Sequence, residues 1–351
     1  MNRDTIIEAF SLIGIFLSQF ESFHSEKTSI TLNKKFYEPF SSAITSAKTY
    51  NGWFEEKQVR RALGALSVWL KPNVLKEWSS KYKWSDGPKT VAIIMAGNFP
   101  LAGMHDFVSV LISCNEAIIK PSSKDRVLIT FLVNFLHEKF PLSKNFISIK
   151  NNKLTDFEMV IATGSNNTHK YFEYYFKNKK SLLRKNRNSI AVLDGNETKK
   201  EISKLAEDVF LYFGLGCRNV SKIFIPKNYD FDKLFEGFKF YKHLIKHNKY
   251  FNNYNYQKTI KIMNNESFID YEYFLLAKSK LLSPPISILY YDFYEKLSTV
   301  EKEIEKNKSL IQCVVSNLNI KNSIKFGESQ KPNLDQYADN VDTLNFLLTS
   351  S

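Results

Sequence analysis

Thr90-Val91-Ala92-Ile93-Ile94-Met95-Ala96-Gly97-Asn98-Phe99-Pro100 is the stretch on which the reading of the fold turns. Residues 90–96 form an apolar run, rich in β-branched side chains, that stops at Gly97-Asn98 and a proline. This is the pattern of a buried strand closing at a turn. Working outward, the spacing predicts a helix over 100–113, a strand over 116–120, a helix over 124–139 and strands over 146–149 and 159–163. Strands alternating with helices imply a parallel sheet wrapped by helices, a doubly wound nucleotide-fold rhythm. A second set follows, with strands at 189–193 and 222–226, helices at 197–213 and 231–244, and later strands near 286–290 and 310–315. The join falls in a basic stretch near Lys185. Upstream, residues 1–88 read as helical, with Ile6, Ile7, Phe10, Ile13 and Leu17 on one face and a turn at Asp86-Gly87-Pro88 before the first strand.

The 351 residues suffice for about two domains. With 43% hydrophobic and 24% charged residues, the chain is neither disordered nor a disulfide-stapled miniprotein. Cys114, Cys217 and Cys313 lie far apart, which gives no zinc spacing and no disulfide framework, and points to a reducing compartment. No apolar run reaches the ~18 residues of a membrane span, and no cleavage site follows the N-terminal apolar segment, so a cytoplasmic location is expected. The net charge of +13 is concentrated in two stretches. Residues 170–187 hold seven Lys or Arg against one acid, and residues 239–261 hold six Lys and no acid. Such runs read as solvated faces, or as sites for phosphorylated cofactors or nucleic acid.

Several residues stand where chemistry is done. Cys217 lies in Phe213-Gly214-Leu215-Gly216-Cys217-Arg218-Asn219, where two glycines end a helix and let the chain bend before a strand. Open backbone and an adjacent cation suit a nucleophilic thiol, although the same thiol also reads as a small buried residue after a helix cap. Cys114 and Cys313 sit in apolar runs and are expected in the core. Asn98 closes the first strand, where its amide can serve an oxyanion or simply a turn. Lys120, before Pro121-Ser122-Ser123, and Thr163-Gly164-Ser165 end two further strands at positions where α/β sheets bind ligands. Neither Gly-x-Gly-x-x-Gly nor a phosphate loop occurs, so a dinucleotide must bind by another scheme. His243 and His247 are four apart among lysines, without carboxylates, and no metal site is expected. His105-Asp106 reads as a polar pair opening a helix.

Taken together, Gly97-Asn98-Phe99-Pro100, Ala117-Ile118-Ile119-Lys120-Pro121-Ser122, Ala162-Thr163-Gly164-Ser165 and Gly216-Cys217 resemble, in order and spacing, the aldehyde dehydrogenase superfamily. More narrowly, three segments look like the LuxC-type acyl-CoA reductases. They are Arg187-Asn188-Ser189-Ile190-Ala191-Val192-Leu193, Gly214-Leu215-Gly216-Cys217-Arg218-Asn219-Val220-Ser221-Lys222, and Phe326-Gly327 with Tyr337-Ala338-Asp339 and Asp342-Thr343. The resemblance runs from about Val91 to the C-terminus. It implies an aldehyde-dehydrogenase-like α/β fold of two doubly wound domains with an N-terminal helical region. The implied divisions are 1–187 for dinucleotide binding with the N-terminal helices, 188–322 for the catalytic thiol, and 323–351 returning to the first domain or to a neighbouring subunit.

The activity so implied is reduction of a fatty acyl-CoA thioester to the aldehyde. Cys217 takes the acyl group, and the Asn98 amide with the Cys217 N–H serves the oxyanion. Ala96, Gly97, Lys120, Ser122, Ser123, Thr163, Gly164 and Ser165 would border the dinucleotide. Aldehyde-oxidising relatives carry a glutamate that activates water, but residues 184–188 contain no carboxylate, so the acyl-enzyme should outlive hydrolysis. Ser123 and Lys124 stand where oxidising enzymes selective for NAD often carry a glutamate, which favours NADPH. The expected acyl donor is acyl-CoA or an acylated carrier or partner protein, and the superfamily likeness suggests a homo-oligomer. Nucleic acid is not an expected partner. The alternatives are an NAD-linked aldehyde dehydrogenase making acid, and an inactive scaffold acting as a basic binding protein.

Overall fold

Val91, Ala92 and Ile93 have no solvent exposure at all, so the run that opens the first sheet lies at its centre. The computed structural model describes residues 2–21, 30, 33–84 and 87–349. It divides the chain into two units, Met1–Lys185 with Asn333–Ser351, and Asn186–Pro332. The first unit begins with four helices, α1 (Arg3–Ser18), α2 (Asn33–Tyr50), α3 (Glu56–Trp69) and α4 (Pro72–Ser80). Next come β1 (Thr90–Ile94), α5 (Met104–Ile112), β2 (Glu116–Lys120), α6 (Arg126–Lys139), β3 (Ile147–Ile149), β4 (Met159–Thr163), α7 (Asn166–Tyr175) and β5 (Lys180–Arg184). The sheet is parallel, in the order β3-β2-β1-β4-β5, with Ile93 level with Ile119 on one side and Ile161 on the other.

This order places the site. The chain winds from β1 outward to β2 and β3, then crosses back to β4 on the far side of β1. The carboxyl ends of β1 and β4 therefore flank a topological switch point, where open α/β sheets leave a crevice for ligands. The helical face read in the sequence is buried as expected: Ile6, Ile7, Phe10, Ile13 and Leu17 join one core with β1, β2, β4, α5 and α6. Of the turn at 86–88, Asp86 lies outside the described residues.

The second unit contains β6 (Asn188–Val192), α8 (Lys199–Phe210), β7 (Val220–Pro226), α9 (Phe231–Phe238), α10 (Asn248–Met263), β8 (Ile269–Asp270), β9 (Leu275–Lys278), β10 (Ile288–Tyr294), α11 (Leu297–Lys306) and β11 (Ile311–Val315). Its sheet runs β11-β6-β7-β10-β9-β8, parallel except for β8 against β9. The chain then returns to the first unit through α12 (Thr343–Leu348). There Arg184 grips both Asp106 oxygens at 2.6 Å and donates to the Thr343 hydroxyl at 2.9 Å. The Tyr337 hydroxyl accepts from the Trp78 ring N–H at 2.8 Å.

Three helices differ from the periodicity. The helix expected over 100–113 starts at Met104, because Leu101 takes a left-handed φ of 57°. The one expected over 197–213 ends at Phe210, and the one over 231–244 tightens to a 3-10 run after Phe238. Cys114 and Cys313, expected in the core, are half-buried, as is Cys217. Cys114 sits at a left-handed corner (φ 59°) just after α5, where the chain must turn sharply into β2.

Among the described residues four of the six lysines in 239–261 meet an acid, whereas in 170–187 the ion pair is that of Arg184 and the contacts of Lys179 and Arg187 are to neutral carbonyls. Lys239, Lys242, Lys258 and Lys261 pair with Glu236, Glu272, Asp270 and Glu266. In the other stretch Lys179 donates to the Phe157 carbonyl and Arg187 to those of Lys308 and Ile311, while Arg184 is the buried partner of Asp106. Among the described residues no helix is long and apolar enough to cross a membrane.

Candidate active site

Three loops of the first unit converge on the carboxyl edge of its sheet. After β1 the backbone passes Gly97 so close to the loop after β2 that a Cβ there would lie 2.7 Å from the Ser122 Cβ and closer still to its hydroxyl oxygen. Only glycine permits this approach. The Gly97 carbonyl accepts from the Asn51 side chain at 3.0 Å, which fixes the loop from the helical layer. Asn98, next in the chain, is exposed on a bend. Lys120, at the end of β2, is half-buried, and its carbonyl accepts the Met95 N–H at 3.1 Å, so the two strands stay paired to their tips.

After β4, Gly164 brings the chain against α7, where a Cβ would meet Phe172 at 2.9 Å and Thr168 at 3.0 Å. Ser165 caps α7, accepting the Thr168 N–H at 3.2 Å. Two glycine contacts, a helix N-terminus and a lysine at one switch point make a cradle that fits a dinucleotide. Ala96, Gly97, Lys120, Ser122, Ser123, Thr163, Gly164 and Ser165 all lie on this edge.

Asp125 escaped the sequence reading. It is 7% exposed and lies beneath the Asn98 loop, accepting the Leu101 N–H at 2.6 Å. Burial pushes its carboxyl up to about 8, against the pull of the Leu101 and Ala102 N–H groups. Its other oxygen finds no hydrogen-bond partner among the described residues. An Asp just before a helix reads as an ordinary cap, and nothing local shows that it faces inward instead.

Cys217 lies at the amino edge of the second sheet, just before β7. Tyr212, Phe213 and Gly214 all take left-handed backbone, with φ of 52°, 58° and 74°. Two of the three are not glycines, and each such residue costs about 1–2 kcal/mol. Strain of this kind persists only where surrounding contacts impose it. Here the Phe213 ring packs 4.6 Å from the His247 ring, centroid to centroid, and the His247 Nδ1 caps α10 by accepting the Tyr250 N–H. The sequence reading of a bend made by two glycines is corrected accordingly: Gly216 has no left-handed φ, and the turn begins two residues before Gly214.

The strand below also holds the turn. The Ser189 hydroxyl donates to the Cys217 carbonyl at 3.0 Å and lies 3.0 Å from the Cys313 sulfur. Burial pushes the Cys313 thiol up to about 11, despite the opposing charge of Arg218. A thiol so raised is a poor nucleophile near neutral pH. At the end of α8, Asp208 accepts the Gly327 N–H at 2.6 Å and the Ser329 N–H at 3.0 Å, with its carboxyl pushed up to about 6 by burial. The Phe326-Gly327 segment is thus tied to the same helix end that leads to Cys217. Ser189 and Asp208 carried no local signal either, since both partners are distant in sequence.

Asn98 and the cradle belong to the first unit, and Cys217 to the second. The other candidates do structural work. His243 contacts the Phe240 carbonyl at 2.8 Å, His105 contacts that of Leu334 at 2.8 Å, and among the described residues no group of His, Cys, Asp and Glu could hold a metal ion.

Known structures share this architecture. Aldehyde dehydrogenase 21 from Physcomitrella patens, solved with the reaction product succinate, aligns with a TM-score of 0.70 at 12% identity, over 99% of this chain and 84% of that one. An NAD-dependent aldehyde dehydrogenase from Sinorhizobium meliloti aligns at 0.66 and 10% identity, over 96% and 72%. The P. syringae indole-3-acetaldehyde dehydrogenase in complex with NAD+ and IAA aligns at 0.62 and 11%, over 92% and 74%. At these identities the likeness shows the aldehyde dehydrogenase fold. No curated protein matches the sequence. The family model described as Acyl-CoA reductase (LuxC) matches residues 12–234. That match spans more than half of the chain, and the protein belongs to the LuxC acyl-CoA reductase family, oxidoreductases acting on acyl or aldehyde groups.

Proposed function

We propose that this protein reduces a fatty acyl-CoA thioester to the aldehyde with NADPH, through an acyl-enzyme on Cys217. The observation that carries the reading is a half-buried thiol on a strained turn. It is joined by the absence of any carboxylate in residues 184–188, where the resemblance would put a hydrolytic base. The Cys217 thiolate attacks the thioester carbonyl, forming a carbon–sulfur bond and pushing the carbonyl electrons onto oxygen. The Asn98 amide and the Cys217 N–H donate to that oxyanion, and its collapse expels the coenzyme thiolate, which takes up a proton. The loops carrying Gly97, Lys120 and Thr163 to Ser165 would hold a reduced nicotinamide dinucleotide, which when bound would supply hydride to the acyl carbon. The same donors then hold the second oxyanion until the Cys217 thiolate leaves and the aldehyde is free.

Lys120, Ser122 and Ser123 would face the adenosine ribose, with Thr163, Gly164 and Ser165 along the phosphates. Exposed Ser123 and Lys124 offer no repulsion to a 2′-phosphate. The nearest acid, Asp125, is buried and turned toward Leu101.

Incubation with acyl-CoAs of graded chain length and NADPH or NADH tests the reading. Aldehyde should form, faster with NADPH, and a mass spectrum without cofactor should show the acyl group on Cys217. Cys217→Ala should lose both. Folded protein that makes no aldehyde at any chain length, or a Cys217→Ala variant that keeps most activity, overturns the reading. Carboxylic acid formed with NAD would instead select the aldehyde-oxidising alternative.

A further inference from the structure

We infer that Asn219 is the positioning residue of the Cys217 thiol, a role that rests on the reading of Cys217 as nucleophile. Asn219 is 3% exposed, and among the described residues every hydrogen bond that its side chain makes ends on the turn carrying Cys217 or on the helix end that leads into it. Its Oδ1 accepts the Gly216 N–H at 2.8 Å. Its Nδ2 faces three carbonyls, those of Asp208 at 3.1 Å, Val209 at 3.3 Å and Leu211 at 2.8 Å, and shares its two hydrogens among them. The last carbonyls of a helix need partners, and here a side chain from beyond the turn reaches back to supply them. The backbone closes the same loop, since the Asn219 N–H donates to the Gly216 carbonyl at 3.0 Å.

This arrangement explains how two bulky residues are kept left-handed. The stretch from Leu211 to Gly216 is spanned by one amide, whose donors hold the near end and whose acceptor holds the far end. Cys217 sits between Gly216 and Asn219, so the direction of its side chain follows from the span. Gly216 is required by the same contact, because a Cβ there would lie 2.9 Å from the Asn219 Oδ1. Aspartate has nearly the shape of asparagine but brings an acceptor against three carbonyls, so only the amide suits the position.

Three readouts separate orientation from mere stability. In Asn219→Ala, acyl transfer from acyl-CoA to Cys217 should fall on the order of 10²-fold, the usual consequence of displacing a reacting atom by about 1 Å. Alkylation of Cys217 by iodoacetamide, which needs a thiolate but no fixed attack direction, should change by less than about threefold, with Cys114 alkylation as the internal reference. Hydrogen exchange should quicken in the 211–219 segment and not in β7. Tyr212→Gly relieves the strain without the amide, so the double variant Tyr212→Gly/Asn219→Ala should recover acyl transfer to within about tenfold of the parent.

Parent-like acyl transfer in Asn219→Ala overturns the proposal. So does a parallel loss of alkylation, which would mean that Asn219 activates the thiol rather than aims it. Should Asn219→Ala fail to fold, the double variant carries the test, and its failure to fold or to transfer acyl groups also overturns the proposal. A parent protein that alkylates at Cys217 but never accepts an acyl group would refute the reductase reading instead. The exchange measurement would still report whether Asn219 holds the turn.

Discussion

The carboxyl edge of the first sheet and the turn before β7 are built by opposite means. At the edge, each loop follows a strand and carries a turn residue within a few positions of it, Gly97 after β1, Pro121 after β2, and Gly164 with the Ser165 cap after β4, with Asn51 adding one distant tie to the Gly97 carbonyl. Backbone geometry does most of the placing there. The Cys217 turn has no such local code, because two of its three left-handed residues are a tyrosine and a phenylalanine. It is held by two side chains, Ser189 on β6 and Asn219 just before β7, the latter also reaching back to main-chain carbonyls at the end of α8. The edge proposed to hold the cofactor is therefore expected to tolerate side-chain change and to suffer from backbone change, whereas the proposed thiol is expected to depend on particular side chains.

The largest effect should come from the one side chain at the edge to which the chemistry gives a task. Asn98→Ala should lower acyl transfer to Cys217 by roughly 10²- to 10³-fold, as removal of an oxyanion donor does. Because Asn98 is exposed, thermal stability should hold, and NADPH affinity should stay within about twofold. Single-turnover acylation followed by mass spectrometry measures this. A loss smaller than about threefold would remove Asn98 from the reaction and leave the edge as a pure platform.

Next in size is the backbone side of the contrast. Gly97→Ala places a Cβ where Ser122 already stands, 2.7 Å from its Cβ, so the loops after β1 and β2 must part. Dinucleotide affinity should fall roughly tenfold, equivalent to about 1.4 kcal/mol, read by the fluorescence of bound NADPH. Iodoacetamide alkylation of Cys217 should not change. If the thiol responded as strongly as the cofactor, the two regions would be one coupled device and the contrast would fail.

The same contrast accounts for what the sequence made legible. Strands β2 and β4 coincide with the runs at 116–120 and 159–163, because buried parallel strands are continuous apolar stretches bounded by turn residues. Asn98, Lys120 and Thr163 could be placed at the edge for the same reason. Ser189, Asp208 and Asp125 could not, since their roles depend on burial and on partners remote in sequence. The ends of the helices expected over 197–213 and 231–244 were misread because apolar periodicity continues through Phe213 and Leu244. Those side chains are indeed buried, but the backbone reaches them by a left-handed turn in one case and a 3-10 run in the other. Periodicity reports which residues are buried, and dihedral angles are a separate matter. The charge runs were equally opaque, because the acids that pair with lysines of 239–261 lie outside them.

The smallest effect concerns Asp125, where the platform departs from its own rule by relying on a buried side chain. Its carboxyl is raised to about 8 by burial, whereas in the unfolded chain it would titrate near its ordinary value of 3.8. Between those values the folded protein binds a proton that the unfolded chain has released. The contribution to stability is therefore greatest below about pH 4, declines as the pH rises toward 8, and is constant above that. A carboxamide cannot titrate, so Asp125→Asn should gain on the parent as the pH rises. The difference in Tm between variant and parent should move in the variant's favour from pH 5.5 to pH 8.5, by roughly 2–4 °C for each kcal/mol of proton linkage. The amide can still accept the Leu101 N–H, so acyl transfer at neutral pH should stay within about threefold. A Tm difference independent of pH would mean that the carboxyl is charged throughout this range. The Leu101 and Ala102 N–H groups would then outweigh desolvation, and Asp125 would be an ordinary anionic anchor of the Asn98 loop.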